Sequence, residues 1–482
     1  MVRIYLTFII VLFCNIIAAQ TQQQLLNRTK HWRFGHKAGL DFNMTTGVPT
    51  VFNGSNGVVF EGNSCISDDN GNLLFYCNGD TIWNKNHQMM LNGASLTCDK
   101  NTSVASQIIP RPGNPNQFFV FINGCTNDAC TQGLRYCIVD MTLDGGNGAV
   151  VTGQKNILVR NQAYQYMAFT KHGNGTDYWL AYIEQNSPYY LCMIPVSASG
   201  PDTNTRVISS YPALQGFGYR FSPDGTKFVD HSPNYYHFYQ FDNNTGQLSN
   251  QIILNNDTGS VGYTTYSCEF SPNSNKIYFA HIGGGLSGNV IQQYDISVFN
   301  QLAIQSSVYN FWDVPFPGQT VCFCGLGHMQ LAPNGKIYIA RTGGFIDTLH
   351  VIHNPNLTGA ACNFQYNAIG LNNNACNFSL PIFPNYYFNN IPLLTTINEK
   401  NRFNQLKINA YPNPCNNELF IQHPITNNYN YTLYNNLNQI VFTHKSNLQQ
   451  HKINTNQLPN GLYWLTIQST FGTQTKKIII NH

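Results

Sequence analysis

Three short stretches of the chain share one pattern and decide the fold: FSPDGTKF at 221–228, FSPNSNKIYFA at 270–280 and LAPNGKIYIA at 331–340. In each, an apolar strand end is followed by Pro, then Asp or Asn, then Gly or Ser, and then by alternating apolar and polar positions. Proline fixes φ at a turn corner, and Asn, Asp and Gly tolerate the dihedral angles of tight turns. The pattern therefore predicts a β-hairpin at each stretch.

Weaker copies of the pattern extend it to six units, at 66–76, 109–121 and 170–182. The turn centres are about 45 to 60 residues apart, which is the span of a four-stranded propeller blade. Residues 31–42 and 380–388 predict a seventh unit, because joining strands from both ends of the region would hide the sheet edges. We predict an all-β chain whose residues 20–394 form a β-propeller of seven blades, or of six. An open β-sandwich with coincidental turns is the alternative.

The composition is that of an extracellular β-protein. The chain has 482 residues, of which 42% are hydrophobic and only 10% charged, and its formal net charge is +3. A typical soluble protein has about a quarter charged residues. Here the polar surface comes from Asn, Ser, Thr, Gln and Tyr, which suit turns and strands. The chain has no long run of Lys and Arg to hold phosphates, so we expect no nucleic-acid partner.

The N-terminus carries an export signal. Arg3 precedes an almost wholly apolar run at 4–17, and Ala18 and Ala19 supply a small-residue cleavage site before Gln20. The run is shorter than the roughly twenty residues of a membrane-spanning helix. We therefore predict a signal peptide at 1–19 and a secreted protein, located outside the cell or at the outer-membrane surface.

The 14 cysteines then predict disulfides, because an exported chain leaves the reducing cytosol. Cys65 and Cys77 flank the turn of the 66–76 unit almost symmetrically, so that the hairpin would bring them opposite each other. The other two candidate pairs each share a loop: Cys125 with Cys130, and Cys362 with Cys376.

Motifs for catalysis, metal binding or cofactor binding are missing from the sequence. Cys322, Cys324 and His328 lie close together, but a zinc site needs four ligands and no partner motif stands out. The Ser67-x-Asp69-x-Gly71 segment resembles the Asp box of sialidase-type propellers, which stabilises a turn. The chain shows neither the paired carboxylates of a glycosidase nor a serine-hydrolase, phosphate-loop or dinucleotide motif. We therefore expect no catalytic residue, metal or cofactor.

Aromatic side chains crowd the middle units and have two interpretations. They could form a rim that stacks on sugar rings, or they could pack between blades, since Tyr is favoured in strands. They are Tyr164, Tyr166, Tyr178, Trp179, Tyr189, Tyr190, Tyr219, Tyr235, Tyr236, Phe238, Tyr239, Tyr263 and Tyr266.

A polar linker at 395–405 precedes a second domain, 406–482, whose four alternating segments predict a small β-sandwich. Three features of this domain resemble the type A C-terminal sorting domain of the type IX secretion system. They are the opening Tyr411-Pro412-Asn413-Pro414, the LPNGLYWL segment with Gly461 and Tyr463, and the basic Lys476-Lys477 before an apolar end. The resemblance implies that the type IX machinery recognises this domain and exports the protein. A generic binding module is the alternative.

Residues 31–391 in turn resemble secreted propeller proteins, related to WD-type propellers, of Gram-negative bacteria that use this system. The matching segments include WRFGHKAGLDF at 32–42, GNLLFYCNGDTIWNKNHQMM at 71–90 and SLPIFPNYYF at 379–388.

The function that we expect is non-enzymatic binding by a monomeric protein, in an adhesin-like or scaffold role. Loops from every blade converge at the channel mouth, so a glycan or protein ligand outside the cell is expected there. The alternative is a secreted hydrolase or lyase that processes polysaccharides or peptides on the same scaffold. A third reading is a structural surface-layer component without a specific ligand.

Overall fold

The computed structural model describes residues 22–98, 102–124, 132–184, 189–213, 218–256, 264–283, 289–313, 325–343, 346–391, 409–422, 429–436, 439–448, 450–469 and 472–482. The predicted signal peptide, the linker at 395–405 and Cys125, Cys130, Cys322 and Cys324 lie outside these ranges. The chain divides into two compact units, residues 1–393 and 394–482. Within the described ranges, none of the helices has the length and apolar character of a membrane span.

The described part of the first unit contains seven antiparallel sheets, each built from strands that follow one another in sequence. Blade 1 has β1 (His31–Phe34), β2 (His36–Phe42) and β3 (Pro49–Val58), and blade 2 has β4 (Ser64–Ser67), β5 (Leu73–Cys77) and β6 (Ile82–Asn84). Blade 3 has β7 (Ser106–Pro110), β8 (Gln117–Asn123), β9 (Leu134–Asp140), β10 (Ala149–Val150) and β11 (Ile157–Arg160). Blade 4 has β12 (Ala163–Lys171), β13 (Tyr178–Glu184), β14 (Tyr190–Ser197), β15 (Gly200–Pro201) and β16 (Val207–Pro212).

The remaining three blades have four strands each. Blade 5 has β17 (Gly218–Phe221), β18 (Lys227–His231), β19 (Tyr235–Asp242) and β20 (Gln247–Asn255). Blade 6 has β21 (Thr264–Phe270), β22 (Lys276–Ile282), β23 (Asn289–Asp295) and β24 (Tyr309–Asp313), and blade 7 has β25 (Gly325–Leu331), β26 (Ile337–Thr342), β27 (Thr348–Ile352) and β28 (Phe364–Gly370). Helices are short: α1 at 22–27, α2 at Gln301–Ser306, and 3₁₀ turns at Asp144–Gly146, Gly359–Cys362 and Asn385–Phe388.

All six predicted hairpins form, and each joins the first and second strands of a blade. The flanking residues pair in register, as Phe221 does with Phe228 and Phe270 with Ile277. In blade 7 the Gly335 N–H donates to the Ala332 carbonyl at 2.9 Å, and Gly335 has a φ of 76°, which glycine adopts without strain.

The sheets follow one another around a ring. The first strands of successive blades contact each other, as β12 does with β17, β17 with β21 and β21 with β25. Blade 7 meets blade 1 where the Asn334 side chain donates to the Gly47 carbonyl at 2.7 Å. The Trp32 and Tyr338 rings also meet there, with centroids 5.5 Å apart. The fold is a seven-bladed β-propeller, as predicted. The predicted closure by strands from both ends of the region is wrong, because the described part of blade 1 consists of β1, β2 and β3 alone and residues 380–388 add no strand to it.

The last residues of the unit, 378–391, run through the centre of this ring, and we call them the closing segment. Its Phe378 carbonyl accepts from the His328 N–H of blade 7 at 2.9 Å, and Pro381 bridges Asn63 beside blade 2 in parallel. Asn385 donates to the Phe221 carbonyl of blade 5 at 3.1 Å. The closing segment therefore ties blades on several sides of the ring to one another.

The second unit is a small β-domain of two sheets. One contains β29 (Asn409–Tyr411), β30 (Glu418–Gln422) and β33 (Gln450–Asn454). The other contains β31 (Tyr429–Tyr434), β32 (Ile440–Ser446), β34 (Gly461–Ser469) and β35 (Gly472–Ile480). Alternate residues such as Tyr431, Leu433, Leu465 and Ile467 are fully buried and form its core.

Candidate functional site

The turns between first and second strands meet on one side of the propeller, which we call the first-turn face. The Asp224 N–H, for example, donates to Ser274 Oγ of the next turn at 3.1 Å. On this face the turns of blades 2, 3 and 4 border an open cleft of about 650 Å³, a volume typical of ligand sites. It is lined by Arg28, Ser67, Asp68, Asp69, Asn70, Leu74, Pro110, Arg111, Pro112, Gly113, Asn114, Pro115, Asn116, Phe118, Met141, Lys171, Thr176 and Tyr178.

Lys171 is the cation at the inner wall of the cleft. Its Nζ lies 4.1 Å from the centroid of the Tyr178 ring and 5.5 Å from that of Tyr386, and it donates to the Thr176 carbonyl at 3.3 Å. Among the described residues, no carboxylate lies within 4 Å of this amine. Burial, and then the charge of Arg28, lower the pKa of Lys171 to about 8. The cleft thus holds a largely buried amine that forms no ion pair within 4 Å among the described residues.

Two arginines add to the positive charge of the cleft. Arg28 Nε donates to Asp69 Oδ1 at 2.5 Å. Arg111 donates to the Ala198 carbonyl at 2.7 Å and to Gln117 Oε1 at 2.6 Å, which holds its guanidinium in place.

The two carboxylates of the cleft already have partners. Asp68 accepts from the backbone N–H groups of Asn70 at 2.9 Å and Asn72 at 2.8 Å, so it closes the turn. Asp69 pairs with Arg28. Within the sequence segment that resembles an Asp box, the turn-closing residue is therefore Asp68. Three cationic side chains face two engaged carboxylates, and the cleft favours an anionic ligand.

A second, smaller cavity of about 40 Å³ lies inside the ring, and we call it the channel cavity. The first strands of blades 3 to 7 and Ile382 of the closing segment surround it. Both ring nitrogens of His231 and the Nδ1 of His328 have no hydrogen-bond partner within the described part of the chain. Burial lowers the pKa of both histidines to about 3, and the positive charge of Arg220 adds to this effect. Both imidazoles are therefore neutral at pH 7.

Arg220, which lines the channel cavity, forms a buried ion pair. Arg220 lies 3.2 Å from Oε2 of Glu269, whose side chain has no exposed surface. Glu269 also accepts from the Leu331 N–H at 3.1 Å and from Asn385 at 2.7 Å. Burial raises the pKa of Glu269, against the lowering effect of Arg220. This pair joins blades 5, 6 and 7 to the closing segment.

No three His, Cys, Asp or Glu side chains within the described ranges are grouped as a metal ion would require. The described cysteines, which include Cys65, Cys77, Cys362 and Cys376, are free thiols in the structure. Cys65 lies opposite Tyr76, and Ser64 opposite Cys77, because a register shift follows Ile66. Cys65 and Cys77 therefore point to opposite sides of the sheet, and this candidate pair is not formed.

The candidate pair Cys362–Cys376 is not formed either. Cys376 Sγ donates to the Arg341 carbonyl at 3.0 Å, whereas Cys362 lies beside Tyr278 of blade 6. The third candidate pair, Cys125–Cys130, lies outside the described residues.

Most of the aromatic residues singled out in the sequence pack inside the propeller. The exposed ones are Tyr190 and Tyr235, and Tyr263 lies outside the described residues. Tyr164, Tyr189 and Tyr266 are half-buried, and the others are buried: Tyr166, Tyr178, Trp179, Tyr219, Tyr236, Phe238, Tyr239. Packing between blades therefore explains most of this set, and Tyr178 alone of it borders the cleft.

In the second unit, the two ends of the predicted sorting motif meet. Asn413 donates to the Lys477 carbonyl at 2.7 Å and accepts from the Ile479 N–H at 2.8 Å. Lys476 lies next to Lys477 on β35, and Pro412 and Pro414 flank Asn413. The Tyr463 hydroxyl, near Gly461 at the start of β34, donates to the Pro459 carbonyl at 2.8 Å.

The second unit matches a known protein family. Residues 409–481 match the family described as the secretion system C-terminal sorting domain. They form a secretion sorting domain. Such a domain implies export to the cell surface or the extracellular space. The predicted motif residues Tyr411–Pro414 and Lys476–Lys477 lie within this range.

Comparison with solved structures returns propeller proteins of low sequence identity. PorZ, a surface component of the type IX secretion system of Porphyromonas gingivalis, is 11% identical with a TM-score of 0.35. The match covers 95% of this chain and 60% of PorZ, so the chain spans less than two thirds of that protein.

A periplasmic gluconolactonase of Pseudomonas aeruginosa is 13% identical with a TM-score of 0.35, and the match covers 67% of this chain and 78% of that one. Hsv2 of Kluyveromyces lactis is 10% identical with a TM-score of 0.36, covering 67% and 90%. Among curated proteins, the comparison finds no match.

Proposed function

We propose that this exported propeller is a binding protein that holds an extracellular glycan in the cleft of its first-turn face. The sorting domain brings the protein to the cell surface or beyond through the type IX machinery, and the propeller supplies a rigid frame. The protein then acts as an adhesin-like or scaffold component without chemical turnover.

The observation that carries this proposal is the difference between the acids and the other polar groups of the cleft. Asp68 and Asp69 are engaged in a turn and an ion pair. A glycosidase needs two carboxyl groups that flank the scissile bond. By contrast, Asn70, Asn114 and Asn116 line the cleft with amide groups that suit hydroxyl groups of a sugar. This lining favours binding over hydrolysis.

The direct test measures binding and turnover with the full chain on a set of extracellular polysaccharides and proteins. Asn116→Trp would fill the cleft from its exposed rim, and we expect binding to fall about tenfold or more. Asn204→Trp places the same side chain at an exposed turn outside the cleft and should bind normally. Cleavage of a bound polymer would overturn the proposal in favour of the hydrolase. Equal loss of affinity in both variants would show that the ligand does not bind in the cleft.

The export part of the proposal has its own test. Removing residues 409–482 should retain the propeller in the periplasm, because the sorting domain is then missing. A matched chain with an exposed substitution in the second unit, Ile440→Ser, should reach the surface. Surface delivery of the truncated chain would contradict the assigned role of the domain.

A further inference from the structure

Lys171 departs from the pattern of blades 5, 6 and 7. It occupies the last position of a first strand, where it pairs with Tyr178 across the hairpin. The corresponding residues of blades 5, 6 and 7 are Phe221, Phe270 and Leu331, which are buried and apolar. A lysine at a position that blades 5, 6 and 7 fill with a buried apolar side chain indicates a functional constraint.

The surroundings of this lysine fit a negatively charged partner. The ring faces of Tyr178 and Tyr386 cover one side of the amine, and the Thr176 carbonyl takes one of its three N–H groups. Its other side borders the cleft, where Arg28 also contributes positive charge. An oxyanion placed there would accept charge-assisted hydrogen bonds from the Lys171 amine. No described carboxylate lies within 4 Å to accept them instead.

The rest of the cleft indicates what carries the oxyanion. Amide side chains from two turns, Asn70, Asn114 and Asn116, suit a polyhydroxylated chain, while Pro110, Pro112 and Pro115 make the wall rigid. Resting on the binding function proposed above, we propose that the cleft binds an acidic glycan whose carboxylate or sulfate group pairs with the ammonium group of Lys171.

This pairing makes binding depend on protonation of one amine. The charged and titratable groups that face Lys171 are Arg28, Asp177, Tyr178 and Tyr386. Arg28 stays charged, and burial raises the pKa of both tyrosines. Lys171 itself loses its proton above about pH 8 in the free protein. Since an oxyanion favours the protonated amine, affinity should fall up to tenfold per pH unit above that value.

The test titrates the full chain with oligogalacturonate, dextran sulfate and neutral dextran. We expect binding of one or both acidic polymers, and a loss of about tenfold or more in Lys171→Met. Lys171→Arg keeps the charge and should bind without the decline above pH 8, because arginine does not lose its proton there. Lys85→Met removes an exposed lysine outside the cleft and should leave affinity within twofold.

Each result has a distinct meaning. Preference for oligogalacturonate assigns a carboxylate and preference for dextran sulfate a sulfate, and either supports the inference. Binding of neutral dextran that Lys171→Met leaves unchanged would overturn the anionic ligand and leave the binding function standing. Failure to bind any of the three polymers would overturn the inference, and failure across the wider set of extracellular polysaccharides and proteins would overturn the binding function as well. Melting curves of every variant separate loss of affinity from loss of fold.

Discussion

The propeller contains two groups of basic side chains that differ in their access to solvent. Arg220, His231 and His328 surround the channel cavity, where Glu269 neutralises the arginine and burial keeps the histidines neutral. In the open cleft, Arg28 has a carboxylate partner but Lys171 has none within 4 Å in the described part of the chain. Inside the ring, basic residues serve the fold, because an uncompensated charge there would destabilise it. At the rim, an uncompensated charge is tolerable and is available to a ligand.

The largest effect is expected from breaking the buried pair. Arg220→Met leaves Glu269 as a lone buried carboxylate and should lower the free energy of unfolding by about 3–5 kcal/mol. Denaturant titration of the full chain measures this change. The double variant Arg220→Met/Glu269→Gln removes both charges and should lose less. A loss below about 1 kcal/mol in the single variant would show that the pair does not hold the ring.

The buried histidines should make the protein sensitive to acid. The pKa of His231 is about 3 in the folded chain and about 6.5 in the unfolded chain. The unfolded state therefore binds more protons below pH 6.5, and stability falls as the pH drops. His231→Gln should retain about 1.5 kcal/mol of the stability that the wild type loses between pH 6.5 and 5. The exposed His36→Gln is the control, and identical pH curves for His231→Gln and wild type would refute the prediction.

The lysine of the cleft should reduce stability when no ligand is present. The pKa of Lys171 is lowered to about 8, so between this value and the usual 10.5 the unfolded state holds more protons, and stability rises with pH. At pH 7, Lys171→Met should therefore be more stable than wild type by about 1 kcal/mol, allowing for solvent screening. The gap should close by pH 10. Thermal melts at the two pH values measure it, and a variant less stable at pH 7 would contradict the account.

The smallest effect is expected from the exposed counterpart of the buried pair. Arg28 and Asp69 are 23% and 43% exposed, so Arg28→Met should cost less than about 1 kcal/mol. Denaturant titration alongside Arg220→Met gives the comparison directly. Equal losses in the two variants would remove the distinction between the buried ion pair beside the channel cavity and the exposed ion pair of the cleft.

The hairpins could be predicted from the sequence because Pro, Asn, Asp and Gly fix local geometry within a few residues. The sorting domain was predictable for the same reason, through motifs such as Tyr411–Pro414. The failure of the Cys65–Cys77 pair shows the limit, since a shift of one residue in register exchanges the two faces of a strand.

The cleft could not be predicted in this way. Its residues come from turns about 45 to 60 residues apart, and Tyr386, which lies beside Lys171, comes from the closing segment. One signal was nevertheless present in the sequence. In the 170–182 unit, Lys171 stands where the clearest units have Phe or Leu, and aligning the repeats by their turns would have singled it out.

The closing segment imposes an order on biogenesis. Pairing of Pro381 with Asn63 joins residues 318 positions apart, and contacts of such separation form slowly and late. Until residues 378–391 arrive, the early blades have unsealed strand edges that are prone to pair with other chains. The sorting domain follows this segment in the sequence. A chain truncated before residues 378–391 therefore lacks both the segment that ties the blades together and the domain that implies export.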